Sequence, residues 1–236
     1  RMGSTRLPGK VLERISDEPI ILRVLKELSF VSNASIIQVV TSDLKKDDVL
    51  CDVLFNANFE FFRGNETDVL QRYYLAAKKL NLDVIVRVNG DCPFIDPMLV
   101  KDVIEYYELN FDKVDYVSTV LDETFPLGMH IEVFSRKILE KVFREAKELD
   151  EKEHVTPYIY RNPDKFKLLS VVNKVNLSDH RWTVDYPEDI EFIKKIVSKL
   201  TPINKNFKMS DVIRLVNKDT DLKKINKMYL KKQNLL

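Results

Sequence analysis

Short runs rich in β-branched and aromatic residues alternate along this chain with longer stretches of helical spacing, and that alternation constrains the fold most. Ser35 to Val40, Phe59 to Phe62 and Asp83 to Val88 are three such runs. Their length and composition suit strands buried in a sheet. Before the first of them, Pro19 to Phe30 places Ile20, Ile21, Val24, Leu25 and Leu28 at helical spacing with charges between. Asp47 to Phe55 and Glu66 to Leu80 read as two further helices. Strands and helices in this order predict βαβ units, hence an α/β fold whose mainly parallel sheet is covered on both faces. Ligands of such sheets bind at the carboxyl ends of the strands, so polar residues at those ends are where a site is sought.

The second half continues the pattern. Asp115 to Ser118 and Ile131 to Phe134 read as strands, the latter leading into a helix over Ser135 to Leu149. Asp96 is placed to cap a helix that starts at Pro97 and carries Leu99, Val100, Val103 and Ile104 on its apolar face. Lys165 to Val175 reads as one or two strands, antiparallel in expectation and suited to a subunit interface. A strand ending at Asp185 precedes a helix opened by Pro187 and faced with Ile190, Ile193, Ile196 and Val197. From Ser210 a modest helix runs into a tail with Lys223, Lys224, Lys227, Lys231 and Lys232, read as a solvated face.

A formal net charge of +1 over 236 residues supplies no global field for nucleic acid or a membrane surface, so an anion site must be local. No apolar run approaches the roughly 20 residues of a membrane span. Two cysteines, Cys51 and Cys92, are too few for a disulfide framework. Their apolar neighbours predict buried free thiols, the state kept in a reducing cytoplasm.

The chemistry concentrates in three places. Arg1-Met2-Gly3-Ser4-Thr5-Arg6-Leu7-Pro8-Gly9-Lys10 packs three cations, two glycines and two hydroxyls into ten residues of little apolar periodicity. Glycine lets backbone N–H groups approach an anion, and arginine and lysine neutralise it, so the stretch reads as a phosphate-holding loop. It is not a P-loop: five residues separate Gly3 from Gly9-Lys10, and Val11 stands where a hydroxyl is required. No G-x-G-x-x-G fingerprint occurs either. Asp91, in Val88-Asn89-Gly90-Asp91-Cys92-Pro93, sits at the tip of a predicted strand, and Asp185 sits at the end of another. Alone, Asp91 reads first as a turn aspartate capping its own backbone. Together with a cationic loop the two aspartates suit nucleotidyl transfer, in which an acceptor oxygen attacks the α-phosphorus of a nucleoside triphosphate and pyrophosphate leaves in line.

The loop, Gly90-Asp91-Cys92-Pro93 and Val184-Asp185-Tyr186-Pro187-Glu188-Asp189, in that order, resemble the cytidylyltransferases that make CMP-activated sugars. The match is nearest to the CMP-KDO synthetases and the spore-coat polysaccharide biosynthesis protein F branch. The resemblance implies a three-layer, Rossmann-like sheet of the nucleotide-diphospho-sugar transferase type with a small antiparallel extension. It divides the chain into a nucleotidyltransferase domain over 1–200 and a helical tail over 201–236. It also implies an apolar strand in the centre of the sheet leading into the loop. Arg1, Gly3, Ser4, Arg6 and Lys10 are then assigned to the nucleotide phosphates, and Asp91 and Asp185 to Mg²⁺. Arg6, Lys10, Asp91 and Asp185 form the catalytic set. Arg63-Gly64-Asn65-Glu66-Thr67-Asp68-Val69-Leu70-Gln71-Arg72 matches another family stretch, which makes Arg63, Asp68 and Arg72 binding candidates, Asp68 and Arg72 for the nucleotide. Gly128 and Glu132 match a sugar-facing pattern in which His130 replaces a carboxylate, so His130 and Glu132 are the sugar candidates.

The resemblance further implies CTP and a sugar acid as substrates, the acceptor being of the 2-keto-3-deoxy type as a first reading. It implies a cytoplasmic homodimer with no nucleic-acid or membrane partner. Another sugar nucleotidyltransferase stands next. A nucleotide-sugar glycosyltransferase is less well matched, since the D-x-D at Asp219 to Asp221 lies in the tail. A non-catalytic sugar-nucleotide binding protein is the third reading.

Overall fold

The computed structural model describes residues 1–232. Residues 233–236 of the expected tail, and the side chains of Lys231 and Lys232, lie outside the described set. The strands are β1 (Arg14–Ile15), β2 (Glu18–Pro19), β3 (Gln38–Ser42), β4 (Glu60–Gly64), β5 (Val84–Val88), β6 (Tyr116–Ser118), β7 (Ile131–Ser135) and β8 (Leu168–Ser170). The helices are α1 (Ile20–Leu28), α2 (Asp48–Asn56), α3 (Val69–Lys79), α4 (Pro97–Leu109), α5 (Arg136–Glu145), α6 (Leu149–His154), α7 (Pro157–Tyr160), α8 (Pro187–Leu200), α9 (Met209–Lys218) and α10 (Asp221–Lys224).

The alternation produces the expected α/β architecture. β3 and β4 pair in parallel, from Gln38 opposite Glu60 to Ser42 opposite Gly64. β5, β7, β6 and β8 form a sheet in that order. Three of its strands run the same way, and β7 alone runs against them. A tight β1–β2 hairpin supplies a small antiparallel piece. Side chains alternate across each strand, so neighbours in sequence feed opposite layers. Val117, Ile131 and Val133 join a core with α1, α4, α8 and α9. Tyr116 and Phe134 join a second core with α3, α5 and α7. Helix, sheet and helix therefore make three layers.

Local signals place most helix starts. The Asp96 carboxylate accepts the Met98 N–H at 3.0 Å, with Pro97 opening α4. Ser135 caps α5 through the Ile138 N–H. Elsewhere tertiary contacts override the local reading. The helix expected from Ser135 to Leu149 stops at Glu145, because Ala146 turns extended and α6 restarts behind a capping box at Glu148. Lys165 to Val175 yields only the three residues of β8, and they pair in parallel with β6, not antiparallel. The strand expected to end at Asp185 is reduced to one bridge, Leu127 to Arg181, because the backbone beyond serves the site described below. No break in packing falls at residue 200: Phe207, Val212, Val216 and Leu222 share a core with Phe192, Ile196 and Leu200 of α8.

Between β3 and β5 lies a cavity of about 800 Å³. Among the described residues β3 pairs only with β4 and β5 only with β7, so both inner edges face it. Its apolar part is lined by Val11, Ile21, Val24, Leu25 and Leu50, and it occupies the middle of the sheet, where the sequence reading puts a strand ahead of the loop. Its polar end lies at the carboxyl ends of β5 and β3 and collects Arg1, Ser4, Arg6, Lys10, Asp91, His130, His154 and Asp185. Among the described residues no helix is long and apolar enough to cross a membrane, and Cys51 and Cys92 are buried free thiols.

Candidate active site

The cationic loop is an ordered turn. Gly9 adopts φ 75°, a left-handed conformation that glycine takes without strain, and its N–H bonds the Met2 carbonyl at 2.9 Å. The Lys10 N–H returns to the Leu7 carbonyl at 3.2 Å. Behind the loop, buried Asp47 accepts the Met2 N–H at 2.7 Å, the Ser42 N–H at 2.9 Å and the hydroxyls of Thr41 and Ser42. Burial pushes the Asp47 carboxyl up, but these donors outweigh it and hold its pKa at about 2. A carboxyl lowered from 3.8 to about 2 contributes roughly 2 kcal/mol above pH 4, and that share disappears as pH falls through 2. Asp47→Asn should therefore lose stability at pH 7, and its gap to wild type should narrow between pH 4 and pH 2. Urea unfolding at three pH values checks this, and a gap that stays constant would remove the assignment.

Lys10 projects from the loop to a point shared by two carboxylates. Its Nζ lies 2.5 Å from Asp91 Oδ2 and 2.8 Å from Asp185 Oδ1. Burial alone lowers a lysine pKa, but the two carboxylates more than reverse this and raise it. The Val184 N–H donates to the Asp91 carbonyl at 2.9 Å, which locks the two aspartate segments together although they are far apart in sequence. Arg6 Nη2 also reaches Asp185 Oδ1, at 2.8 Å.

Asp185 is held from behind by a buried network. Arg181 Nη2 bonds Asp185 Oδ2 at 2.9 Å, while its Nε and Nη2 fork onto Asp189 at 2.8 and 2.9 Å. Asp189 also accepts the Asp185 and Tyr186 N–H groups, at 2.9 and 3.0 Å. Asp189 is fully buried, so it is a framework carboxylate as well as a first-turn helix acid. Burial raises the Asp185 pKa, yet Lys10, Arg181 and Arg6 together bring it below the ordinary value. The site therefore keeps Asp185 ionised at neutral pH.

The sugar candidates separate. Gly128, at φ 110°, lets the loop before β7 lie against the Trp182–Thr183 backbone, where a Cβ would come within 2.9 Å of Thr183 N. This places His130 on the cavity wall, where burial lowers its pKa. Glu132 lies behind the cavity wall, close enough for its charge to act on His130. It stands directly across from Arg87 in the β5–β7 ladder and pairs with it, and it accepts from Tyr116 Oη at 2.6 Å and from Thr156 Oγ1. With those donors engaged, Glu132 is 2% exposed and orients Arg87, which does line the cavity. The distant nucleotide candidates also lie off the cavity wall. Asp68 caps α3 by accepting the Gln71 N–H at 2.8 Å, and Arg72 is buried at 3% exposure beside the Glu66 carbonyl. Arg1 spans the Glu66 carbonyl at 2.6 Å and Glu153 at 2.5 Å, and Ser4 Oγ accepts the Leu7 N–H at 3.4 Å. Gly3 passes so close to the Lys46–Glu66 pair that a Cβ would meet both side-chain ends.

The two converging carboxylates fit a hard divalent ion that takes its remaining ligands from phosphate and water. Among the described residues no cluster of three or more acidic, histidine or cysteine side chains offers a site complete in itself.

A family model described as cytidylyltransferase matches residues 1–233. This chain belongs to the cytidylyltransferase family. It is 32% identical to the spore coat polysaccharide biosynthesis protein SpsF of Bacillus subtilis, over 94% of this chain and 92% of that protein. It is 35% identical to the uncharacterized protein MJ1063 of Methanocaldococcus jannaschii, over 96% of this chain and 91% of that one. A solved cytidylyltransferase structure from Leptospira borgpetersenii superposes with a TM-score of 0.89 at 33% identity, covering 94% of this chain and 92% of that one. A CMP:2-keto-3-deoxy-manno-octonic acid synthetase complexed with CTP shares the fold, with a TM-score of 0.66 at 16% identity over 84% of this chain and 95% of that one. Family membership makes the protein a nucleotidyltransferase.

Two residues that shape this cluster escape a reading of motifs. Arg181 lies outside V-D-x-P-E-D, and only its spacing of four and eight residues from Asp185 and Asp189 hints at a role. Arg87 reads as one charge inside a buried strand, a signal that a partner must exist without saying which.

Proposed function

We propose that this protein transfers CMP from CTP to the hydroxyl of a sugar acid and releases pyrophosphate. The observation that carries the reading is the meeting of Lys10 with Asp91 and Asp185 at 2.5 and 2.8 Å, at the mouth of a cavity rimmed by Arg1, Ser4 and Arg6. A cationic loop facing two fixed carboxylates is the charge pattern that phosphoryl-type transfer needs: positioning plus neutralisation. Asp91 and Asp185 would hold Mg²⁺, which when bound supplies charge neutralisation at the α-phosphate and lowers the pKa of the attacking hydroxyl. Arg6 and Lys10 neutralise the leaving pyrophosphate, and Arg1 and Ser4 seat the loop against the phosphates. Arg181 and Asp189 keep the Asp185 carboxylate aimed at the reacting centre.

Cytosine as the base is supported by family membership. A 2-keto-3-deoxy acid as acceptor is supported by a 3-deoxy-manno-octulosonate cytidylyltransferase of Trichlorobacter lovleyi, 35% identical over 105 residues, 44% of this chain and 41% of that protein. His130, neutral and on the cavity wall, can donate or accept one hydrogen bond to a sugar hydroxyl. The likeness to SpsF supports a product destined for surface polysaccharide.

The test is pyrophosphate release with Mg²⁺, crossing the four nucleoside triphosphates with a panel of sugar acids. Release with CTP and one acceptor is the expected result. Release with a different triphosphate would keep the reaction and reject cytidine. CTP binding with no release for any acceptor would count against a transferase acting on sugar acids.

A further inference from the structure

The segment that follows α10 reaches back to the active site and closes its second carboxylate from behind. Asn226 is 2% exposed, and its Nδ2 donates to the Arg181 carbonyl and to Asp189 Oδ1, both at 2.9 Å. A buried amide with both bonds engaged on one network is costly to misplace. One turn later the Tyr229 ring lies flat on the Tyr186 ring, with centroids 3.8 Å apart and planes 6° from parallel. The Tyr186 ring in turn carries the Arg6 guanidinium, 5.5 Å from its centroid.

Arg6 needs that support. Its side chain is 48% exposed, and among the described residues its one carboxylate contact is the 2.8 Å bond to Asp185. A half-exposed ion pair does little to fix a long side chain in one geometry, because screening and side-chain entropy offset the attraction. An aromatic plane beneath the guanidinium restricts it further, provided the plane itself is fixed. Tyr186 is fixed by the stacked Tyr229, by the buried Arg181 guanidinium 5.5 Å from its ring centroid and by its backbone bond to Asp189.

We infer that Asn226 and Tyr229 are positioning residues of this enzyme: the C-terminal segment holds Tyr186, and through it Arg6 and the phosphate loop, in the geometry that receives a triphosphate. Lys224 and Lys227 give this segment an exposed outer face, but its inner face belongs to the site. The inference deepens the proposed reaction, and its first readout does not depend on that reaction.

That readout is hydrogen exchange of the Gly9 and Lys10 amides, which close the loop at 2.9 and 3.2 Å. Tyr229→Leu should speed their exchange by about two- to tenfold, the range an aromatic stack of this kind supports. Tyr229→Phe, which keeps the stack, should stay within about twofold of wild type. Asn226→Ala should act in the same direction, and Tyr229→Leu carries the test if the buried amide proves necessary for folding. In turnover, Tyr229→Leu should raise the KM for the triphosphate by a similar factor and leave the KM for the acceptor unchanged. Unchanged loop exchange in Tyr229→Leu, or an equal acceleration across every helix, would overturn the inference. Wild-type protein that releases no pyrophosphate would count against the proposed reaction and leave the exchange result standing.

Discussion

Asp185→Asn is expected to reduce turnover by roughly 10³-fold, the scale seen when one fixed electrostatic contact to a reacting group is removed. The substitution keeps the shape of the side chain and removes its charge. Lys10, Arg6 and Arg181 all converge on that carboxylate at 2.8 to 2.9 Å, so its charge is the common term in three contacts. The fold should survive. Arg181 keeps its fork onto Asp189, and Lys10 keeps Asp91, so the loss of stability should be about 1–3 kcal/mol and not the larger cost of an abandoned buried charge. Steady-state rates at saturating CTP, paired with a thermal melt, check both halves. Near-wild-type rates at limiting Mg²⁺ would remove Asp185 from the reaction.

Lys10→Met should lower turnover by roughly 10²- to 10³-fold, and it separates two roles in one experiment. The first is contact with the leaving phosphates, which predicts a larger loss of triphosphate affinity than of monophosphate affinity. The second follows from where the ammonium lies. It supplies the positive charge between Asp91 and Asp185, and without it two carboxylates face one point with less compensation. Like charges in a shared site favour an added cation. Mg²⁺ without nucleotide should therefore raise the melting temperature of Lys10→Met more than that of wild type. Equal shifts for both proteins would mean that the two carboxylates do not share an ion site, whatever the effect on rate.

Local chemistry was legible in the sequence. The Asp96 cap with Pro97, the glycine turn of the phosphate loop and the alternation of strands with helices depend on residues within a few positions of one another. Backbone sterics and hydrogen bonding act over that range, so a linear reading finds them. The three motifs also lie together on the cavity, because the carboxyl ends of the strands in an α/β sheet are brought to one edge by topology alone.

Which face a residue presents was decided elsewhere. Glu132 sits in a family-like pattern, yet its direction depends on standing opposite Arg87 across the β5–β7 ladder, and that register is a property of two distant segments. Asp68 serves its own helix, and Arg72 packs beside Glu66, because α3 lies where its packing against α5 and α6 puts it. The Arg181–Asp189–Asn226 network joins a loop, a helix start and the C-terminal segment, and no short motif contains all three. The sequence by itself determined most of the strands, the Asp96 cap and the glycine turn of the cationic loop, because those are short-range consequences of shape and polarity. The tertiary structure alone decided which charges meet in the site, because burial forces each charge to find a partner, and the partners come from wherever the chain returns.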